Sequence, residues 1–476
     1  MDDKLVLVTG ATGYIGGLLI PQLLERGYRV RALARDPMRL RSRAWYSQVE
    51  VIDGDALQSF SLFQALEGVH TAYYLIHSMS IGNGYTEREI QAAQNFVNAA
   101  EQANVQHIIY LGGLAKPQNT GSRHMASRIL TGATLRKGRV PVTEFRAGVI
   151  VGPGSISFEM IRYIAEWFPV IVGPFWLRNK VQPIAAWNVL DYLLAALEHP
   201  PTPRAVYEIG GPDVMPYGET MLRYARIRGL KRTLLHLPGI PIQVLALFMG
   251  WLSPVPGKIA RPLIGGLAGD SVVIRDRVRR VFPDVNLLSF DEAVSRSLRE
   301  LHPKYLERVW DAREETVTIL KHQGFFVDHR WLPVNVAPEK VFRLFTQMGG
   351  EYGWPFADWL WKLRGWIDKL FGGPGLRSFI EPLREGDAVD YYRVESLEPN
   401  CMLRLYSELK APGQGWMEWR VESAGGITKL SQTGFFAPRG LPGFIYWYAL
   451  GPVHKFVFRG LIKELARKSE EASNCA

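Results

Sequence analysis

The sequence predicts an α/β protein: a doubly wound parallel sheet over residues 1–310, then a smaller α+β domain over residues 320–476. Three observations carry this. Short β-rich runs alternate with longer segments of helical period over the first 150 residues, the pattern of βαβ units. A charged stretch from Arg299 to Arg313 then separates two compositions, and eight of the fourteen tryptophans lie at or beyond Trp331. The length, 476 residues, also exceeds one ordinary domain.

Strand-like runs fall at Leu5–Val8, Arg29–Leu33, Val49–Ile52, His70–Ile76, His107–Leu111 and Val142–Ile150. Between the fourth and fifth, Ile90, Ala93, Phe96, Val97 and Ala100 recur at helical spacing and predict an amphipathic crossover helix. Pro21 is expected to kink the first helix. From Gly152 to Arg299 the pattern loosens, with a helical run at Asp191–Leu197 and a strand at Ala205–Ile209; this reads as a substrate-side extension of the same domain. In the last part, a strand at Phe325–Val336 precedes a helix opened by Pro338. Strands follow at Ala388–Leu397, Met402–Leu409, Trp416–Ser423 and Thr428–Phe436, before a long helix over Phe444–Ser469. A curved antiparallel sheet gripping that helix is the economical arrangement, and such sheets often enclose an apolar cavity.

A net charge of +10 fits an anionic partner such as a nucleotide or a membrane surface. Nucleic acid is disfavoured, because no run of five Lys/Arg and no zinc-finger spacing occurs. Two cysteines, Cys401 and Cys475, suit a reducing, cytoplasmic compartment, and the N-terminus shows no signal peptide. The apolar stretches Thr233–Gly257 and Gly440–Val453 read as buried core helices, with peripheral membrane contact as the other reading.

The segment Thr9-Gly10-Ala11-Thr12-Gly13-Tyr14-Ile15-Gly16 follows the first strand and opens a helix. Glycines there let main chain turn tightly and approach a pyrophosphate, which the free N–H groups of the helix start can hold. Thr9 and Thr12 offer hydroxyl donors. This is a Rossmann-type dinucleotide signature. NAD enzymes end the second strand on a carboxylate for the ribose, but here Leu33-Ala34-Arg35 ends it, and a guanidinium suits a 2′-phosphate. NADP(H) is therefore favoured over NAD(H), although Asp36 could serve a ribose.

These residues, with Gly54-Asp55-Ala56 and Leu75-Ile76-His77-Ser78-Met79, resemble the short-chain dehydrogenase/reductase superfamily, in its atypical NmrA-like branch. The likeness extends through RAGVIVGPGSISFEMIRY and QPIAAWNVLDYLLAAL. With its C-terminal part the chain resembles YbjT-like two-domain proteins, in which such a domain is fused to a START-like helix-grip domain. The resemblance implies that Asp55 and Ala56 border the adenine and that Ile76 and His77 line the nicotinamide side.

The superfamily's Tyr-x-x-x-Lys pair and its serine are missing: Leu111-Gly112-Gly113 and His124-Met125-Ala126-Ser127-Arg128 stand in their places. His124 and Arg128 share a helix face at i, i+4 and are the catalytic candidates, histidine as acid and arginine depressing its pKa while touching cofactor hydroxyls. The alternative is a surface histidine with a phosphate- or solvent-facing arginine. Ser122 and Ser127 are substitute donors. In the C-terminal part, Trp354, Phe356, Trp359, Trp361, Trp366 and Phe371 interleave with Lys362, Arg364 and Lys369. This reads as core packing, as the lid of an apolar cavity, or as an interfacial helix. Metal-ligand spacing is absent there. The sequence thus points to an NADPH-dependent reductase of an apolar carbonyl or alkene, with a non-catalytic NADP-binding redox sensor and a lipid-binding protein as alternatives.

Overall fold

The computed structural model describes residues 4–77, 84–114, 123–199, 202, 205–267, 269–313, 315–378, 382–424 and 426–474. The chain divides into two compact units, Met1–Arg313 and Glu314–Ala476.

In β1 (Leu5–Thr9) every residue is buried, and alternate side chains enter different cores: Val6 and Val8 one, Leu5 and Leu7 another. A strand covered by helices on both faces needs this unbroken apolar run. Around it lie β2 (Arg29–Ala34), β3 (Glu50–Asp53), β4 (Thr71–Tyr74), β5 (His107–Gly113), β6 (Val142–Ala147) and β7 (Ala205–Ile209). The strands are all parallel, in the order β7-β6-β5-β4-β1-β2-β3. Helices α1 (Tyr14–Glu25) and α6 (Ala186–Glu198) pack on one face, and α2 (Ser59–Leu66) and α3 (Tyr85–Gln102) on the other. Helix α4 (Arg123–Leu135) lies beside α3, and α5 (Ile156–Trp167) belongs to the less regular region. Reversal of the strand order between β1 and β4 opens a crevice at the strands' carboxyl ends.

The run Val142–Ile150 is not one strand. After Ala147 the chain leaves the main sheet at Gly148, and Ile150–Val151 pairs in parallel with Ile184–Ala185. Pro21 lies inside α1, which runs as one helix from Tyr14 to Glu25. The helix Ile242–Leu252 corrects the core-helix reading: it buries Ala246, Met249 and Leu252 but exposes Leu247, Phe248 and Trp251. With apolar residues all round, it is covered only where the helix Gly257–Gly266 and residues of α5 such as Met160 meet it. The stretch from Gly440 is likewise split, with Phe444 buried and Ile445, Tyr448 and Val453 exposed. No helix among the described residues is long and apolar enough to cross a membrane.

The second unit has a seven-stranded antiparallel sheet of β8 (Val317–His322), β9 (Phe325–Val334), β10 (Ala388–Val389), β11 (Tyr392–Glu398), β12 (Met402–Ser407), β13 (Gly413–Ala424) and β14 (Ile427–Pro438). Their order is β8-β9-β14-β13-β12-β11-β10. Helices α7 (Pro338–Thr346), α8 (Asp358–Leu370) and α9 (Gly440–Asn474) accompany it, and α9 packs on β9, β14 and α7. Strand β8, with exposed Val317 and Ile319, has no clear apolar run and escapes the sequence reading.

One buried histidine ties the first sheet to pH. His107 Nε2 lies 2.9 Å from the Thr143 hydroxyl, and burial, aided by the neighbouring imidazoles of His70 and His199, pushes its pKa down to about 4. Because the folded value is the lower one, stabilisation is complete above the unfolded value of about 6.5 and is lost as the pH falls from there toward the folded value. This group alone should cost about 2 kcal/mol between pH 7 and pH 5. Thermal unfolding of wild type and His107→Asn at the two pH values checks it: the variant should show the smaller acid-induced fall in Tm.

Candidate functional site

The turn between β1 and α1 explains its glycines. Gly10 has φ of +69°, and a Cβ there would lie 2.6 Å from the Leu75 carbonyl oxygen. A Cβ on Gly16 would meet the Gly10 carbonyl oxygen at 2.4 Å. The Gly13 N–H closes the turn on the Gly10 carbonyl at 2.8 Å, and the Gly17 N–H reaches the Gly13 carbonyl at 2.9 Å. The N–H groups of Tyr14, Ile15 and Gly16 precede that first helical bond, and no side chain caps the helix. They are therefore free donors at the positive end of a helix dipole.

A cleft of about 180 Å³ opens over this turn. It is lined by Gly10, Thr12, Gly13, Arg35, Asp55, Ala56, Ile76 and His77, and also by Arg88 and Gly54. Residues far apart in the sequence are thus brought together by the ends of β1, β2, β3 and β4. Arg35, exposed beyond β2, makes no ion pair among the described residues, nor does Arg88 from α3. Asn95 of α3 fixes the Asp55 loop by donating to the carbonyls of Ala56 at 3.2 Å and Leu57 at 3.1 Å.

Two side chains of the glycine segment do other work. Thr9 is fully buried; its hydroxyl donates to the Tyr73 carbonyl at 2.9 Å and accepts from the Leu75 N–H at 3.1 Å. It stitches β1 to β4 and is no donor to a ligand. The Tyr14 phenol is turned into the protein, where burial holds its pKa well above the ordinary range and a Cβ on Gly152 would touch its oxygen. Of the glycine segment, Gly10, Thr12 and Gly13 line the cleft, and the free N–H groups of Tyr14, Ile15 and Gly16 follow them directly in the chain.

The predicted catalytic pair is placed against the Ile76–His77 end of the cleft, but in altered roles. His124 is buried, with its ring 4.9 Å from that of His77. Its Nδ1 has no hydrogen-bond partner among the described residues. Burial, then the neighbouring His77 and Arg128, push its pKa down to about 3. It is therefore neither a surface histidine nor a source of imidazolium at neutral pH. Arg128 is buried too; it donates to the carbonyls of Leu111 and Ile76 and lies over the Tyr110 ring at 5.1 Å. A guanidinium so occupied clamps α4 to β4 and β5 and is not offered to cofactor hydroxyls or to solvent. Ser127 donates to Glu89, which removes it as a substitute oxyanion donor. Ser78, Met79 and Ser122 lie outside the described residues.

Glu89 is the member that sequence reasoning missed. Buried on α3, it accepts from Ser127 and lies 2.9 Å from Nδ1 of His77. A carboxylate takes a proton only from N–H, so this contact sets the His77 tautomer with the hydrogen on Nδ1 and leaves Nε2 as the acceptor nitrogen. Burial and the Arg128 charge lower the His77 pKa, against the pull of Glu89. The signal for Glu89 was its place on the stripe of Ala93 and Phe96, where a charge needs a buried partner.

Residues 2–151 match the NmrA-like family, and residues 322–461 match a family described as a protein of unknown function, DUF2867. Among curated relatives, cinnamoyl-CoA reductase 1 of Oryza sativa subsp. japonica is 31% identical over 116 residues, 23% of this chain and 34% of that protein. A 3 beta-hydroxysteroid dehydrogenase/Delta 5-->4-isomerase of Mycobacterium tuberculosis is 30% identical over 115 residues, 22% of this chain and 30% of that protein. The chain spans about a third of the length of these relatives. Two solved structures share the fold, each over 62% of this chain and 99% of theirs at a TM-score of 0.50. They are the Citrobacter sp. triphenylmethane reductase, 21% identical, and the Escherichia coli NADPH-dependent quinone oxidoreductase QOR2, 19% identical. The first unit is thus a Rossmann-like parallel-sheet domain whose residues 2–151 are NmrA-like, joined to a separate antiparallel-sheet domain that contains the DUF2867 segment.

Proposed function

We propose that the first unit binds NADPH and reduces an apolar carbonyl, quinone or conjugated alkene. The observation that carries this reading is the cleft itself, in which the Gly10–Gly13 turn, Arg35 and the Ile76–His77 end face one space, with the uncapped start of α1 following that turn. The residues fit the dinucleotide: a side chain on Gly10 or Gly16 would strike main chain and break the tight turn, and Arg35 with Arg88 supplies charge for a 2′-phosphate. Bound NADPH supplies hydride from its nicotinamide ring. The chain orients it, through N–H groups at the pyrophosphate, Asp55 and Ala56 at the adenine and Ile76 at the nicotinamide. His77, held by Glu89, moves the proton: Nε2 takes a proton from an alcohol in one direction and returns it to the substrate oxygen in the other. Names among the similar proteins, reductases of quinones, dyes and cinnamoyl-CoA, agree with an apolar acceptor. The helix-grip, START-like reading of the second unit, with α9 laid on its sheet, would supply a compartment for such a molecule.

NADPH oxidation followed against a panel of quinones, enones and aldehydes tests the proposal. At least one acceptor should turn over, and His77→Ala should lower kcat by about 100-fold at saturating NADPH. Since the His77 pKa is lowered, imidazolium becomes populated only below the ordinary histidine value, and reduction should accelerate as the pH falls into that more acidic range. Tight NADPH binding with no turnover across the panel overturns the reductase reading. It would favour the redox sensor, for which the buried, neutral His124 and the main-chain bonds of Arg128 already argue.

A further inference from the structure

The second unit encloses a cavity of about 260 Å³, bounded by α8, α9 and the strands β12 to β14. Its wall is largely aromatic, including Trp361, Trp416, Phe435, Trp447 and Phe458. Polar side chains interrupt that wall: Arg364 on α8, Tyr446 and His454 about two turns apart on α9, and Tyr391, Tyr392 and Ser407 from the sheet. Arg364 Nη2 donates to the Tyr446 oxygen at 2.9 Å, and its guanidinium lies 5.5 Å from that ring's centroid. Among the described residues Arg364 has no carboxylate partner. Asp368, one turn further along α8, accepts instead from the main-chain N–H of Lys410 at 2.8 Å and from that of Gly375.

The donors are in excess. A guanidinium has five N–H groups and keeps its charge. The Tyr446 hydroxyl accepts from Arg364, and its own proton goes to no acceptor among the described residues. His454 Nδ1 is buried with no hydrogen-bond partner among them, while the ring stacks on Phe458 at 5.4 Å. Burial, then the Arg364 charge, push the His454 pKa down to about 4, so the imidazole is neutral at neutral pH and Arg364 is the cation of this polar end. A half-buried guanidinium with spare N–H groups, a hydroxyl proton and an unmet imidazole nitrogen thus face one largely apolar space, and an anion is the partner that matches all three.

We propose that this cavity binds a small aromatic acid, its flat body among the tryptophan and phenylalanine rings and its carboxylate on Arg364, Tyr446 and His454. The volume, just under the roughly 300–1,000 Å³ of drug-sized pockets, limits the body to one or two rings. The site shares no residue with the cleft of the first unit, and its carboxylate end rests on this cavity's own residues.

The test is calorimetric titration of the full-length chain with 2-naphthoic acid and with its methyl ester. In wild type the acid should bind saturably and at least about ten-fold more tightly than the ester, a difference of about 1.4 kcal/mol. Arg364→Met should weaken the acid at least ten-fold and leave the ester unchanged; Arg364→Gln gives the same comparison if the Met variant fails to fold. Saturating NADPH should change neither affinity. Equal affinity for acid and ester, undiminished acid binding in the Arg364 variants, no saturable binding of either probe, or competition by NADPH overturns the proposal.

Discussion

Replacing Gly16 by valine is expected to lower NADPH affinity by at least about 100-fold, or about 2.7 kcal/mol. Even a single carbon at this position lies 2.4 Å from the Gly10 carbonyl oxygen, so the first turn of α1 must move off the strand that feeds it. That movement would turn the N–H groups of Tyr14, Ile15 and Gly16 away from the pyrophosphate proposed for them. Fluorescence titration with NADPH, alongside a thermal melt, separates loss of the cradle from loss of the fold. An affinity within three-fold of wild type in a folded Gly16→Val protein would refute the assignment of the cleft.

The second large effect concerns choice of coenzyme. Arg35→Asp is expected to weaken NADPH by about 10- to 100-fold while leaving NADH unchanged or tighter, because the variant loses a forked cation and gains a ribose acceptor. Arg35 is exposed at the end of β2 without an ion pair among the described residues, so its removal should leave the fold intact. The ratio of the two dissociation constants is the measurement. Equal loss for both coenzymes would place Arg35 on a part they share.

What the residues disclosed, and what they withheld, follows from the range of the forces involved. The glycine turn was legible because its constraint is local: a tight bend, a strand before it and a helix after it. The unbroken apolar run of β1 was equally plain, as both faces are buried. Roles that depend on distant partners were hidden. Thr9 looked like a ligand donor, but Tyr73 and Leu75 claim its hydroxyl across the sheet. The i, i+4 spacing put His124 and Arg128 on one face, yet no spacing announces that the face is turned inward onto His77 and the Leu111 carbonyl. Composition likewise placed aromatic and basic residues together around Trp361 without sorting them. Trp354 and Trp361 are buried and stacked at 4.1 Å, whereas Trp359 and Trp366 are exposed.

Pairing of β9 with β14 joins residues 325–334 to residues 427–438. On the ribosome, then, an early strand of the second unit waits with one edge unmatched until nearly the whole chain has emerged, and only afterwards can α9 be laid down. Hairpins among β11, β12, β13 and β14 form from near neighbours and come quickly, but closure of the unit is a late, long-range event. Nascent chains halted before Ile427 would present that bare edge to one another, so premature termination here leads to aggregation rather than to a shorter working protein.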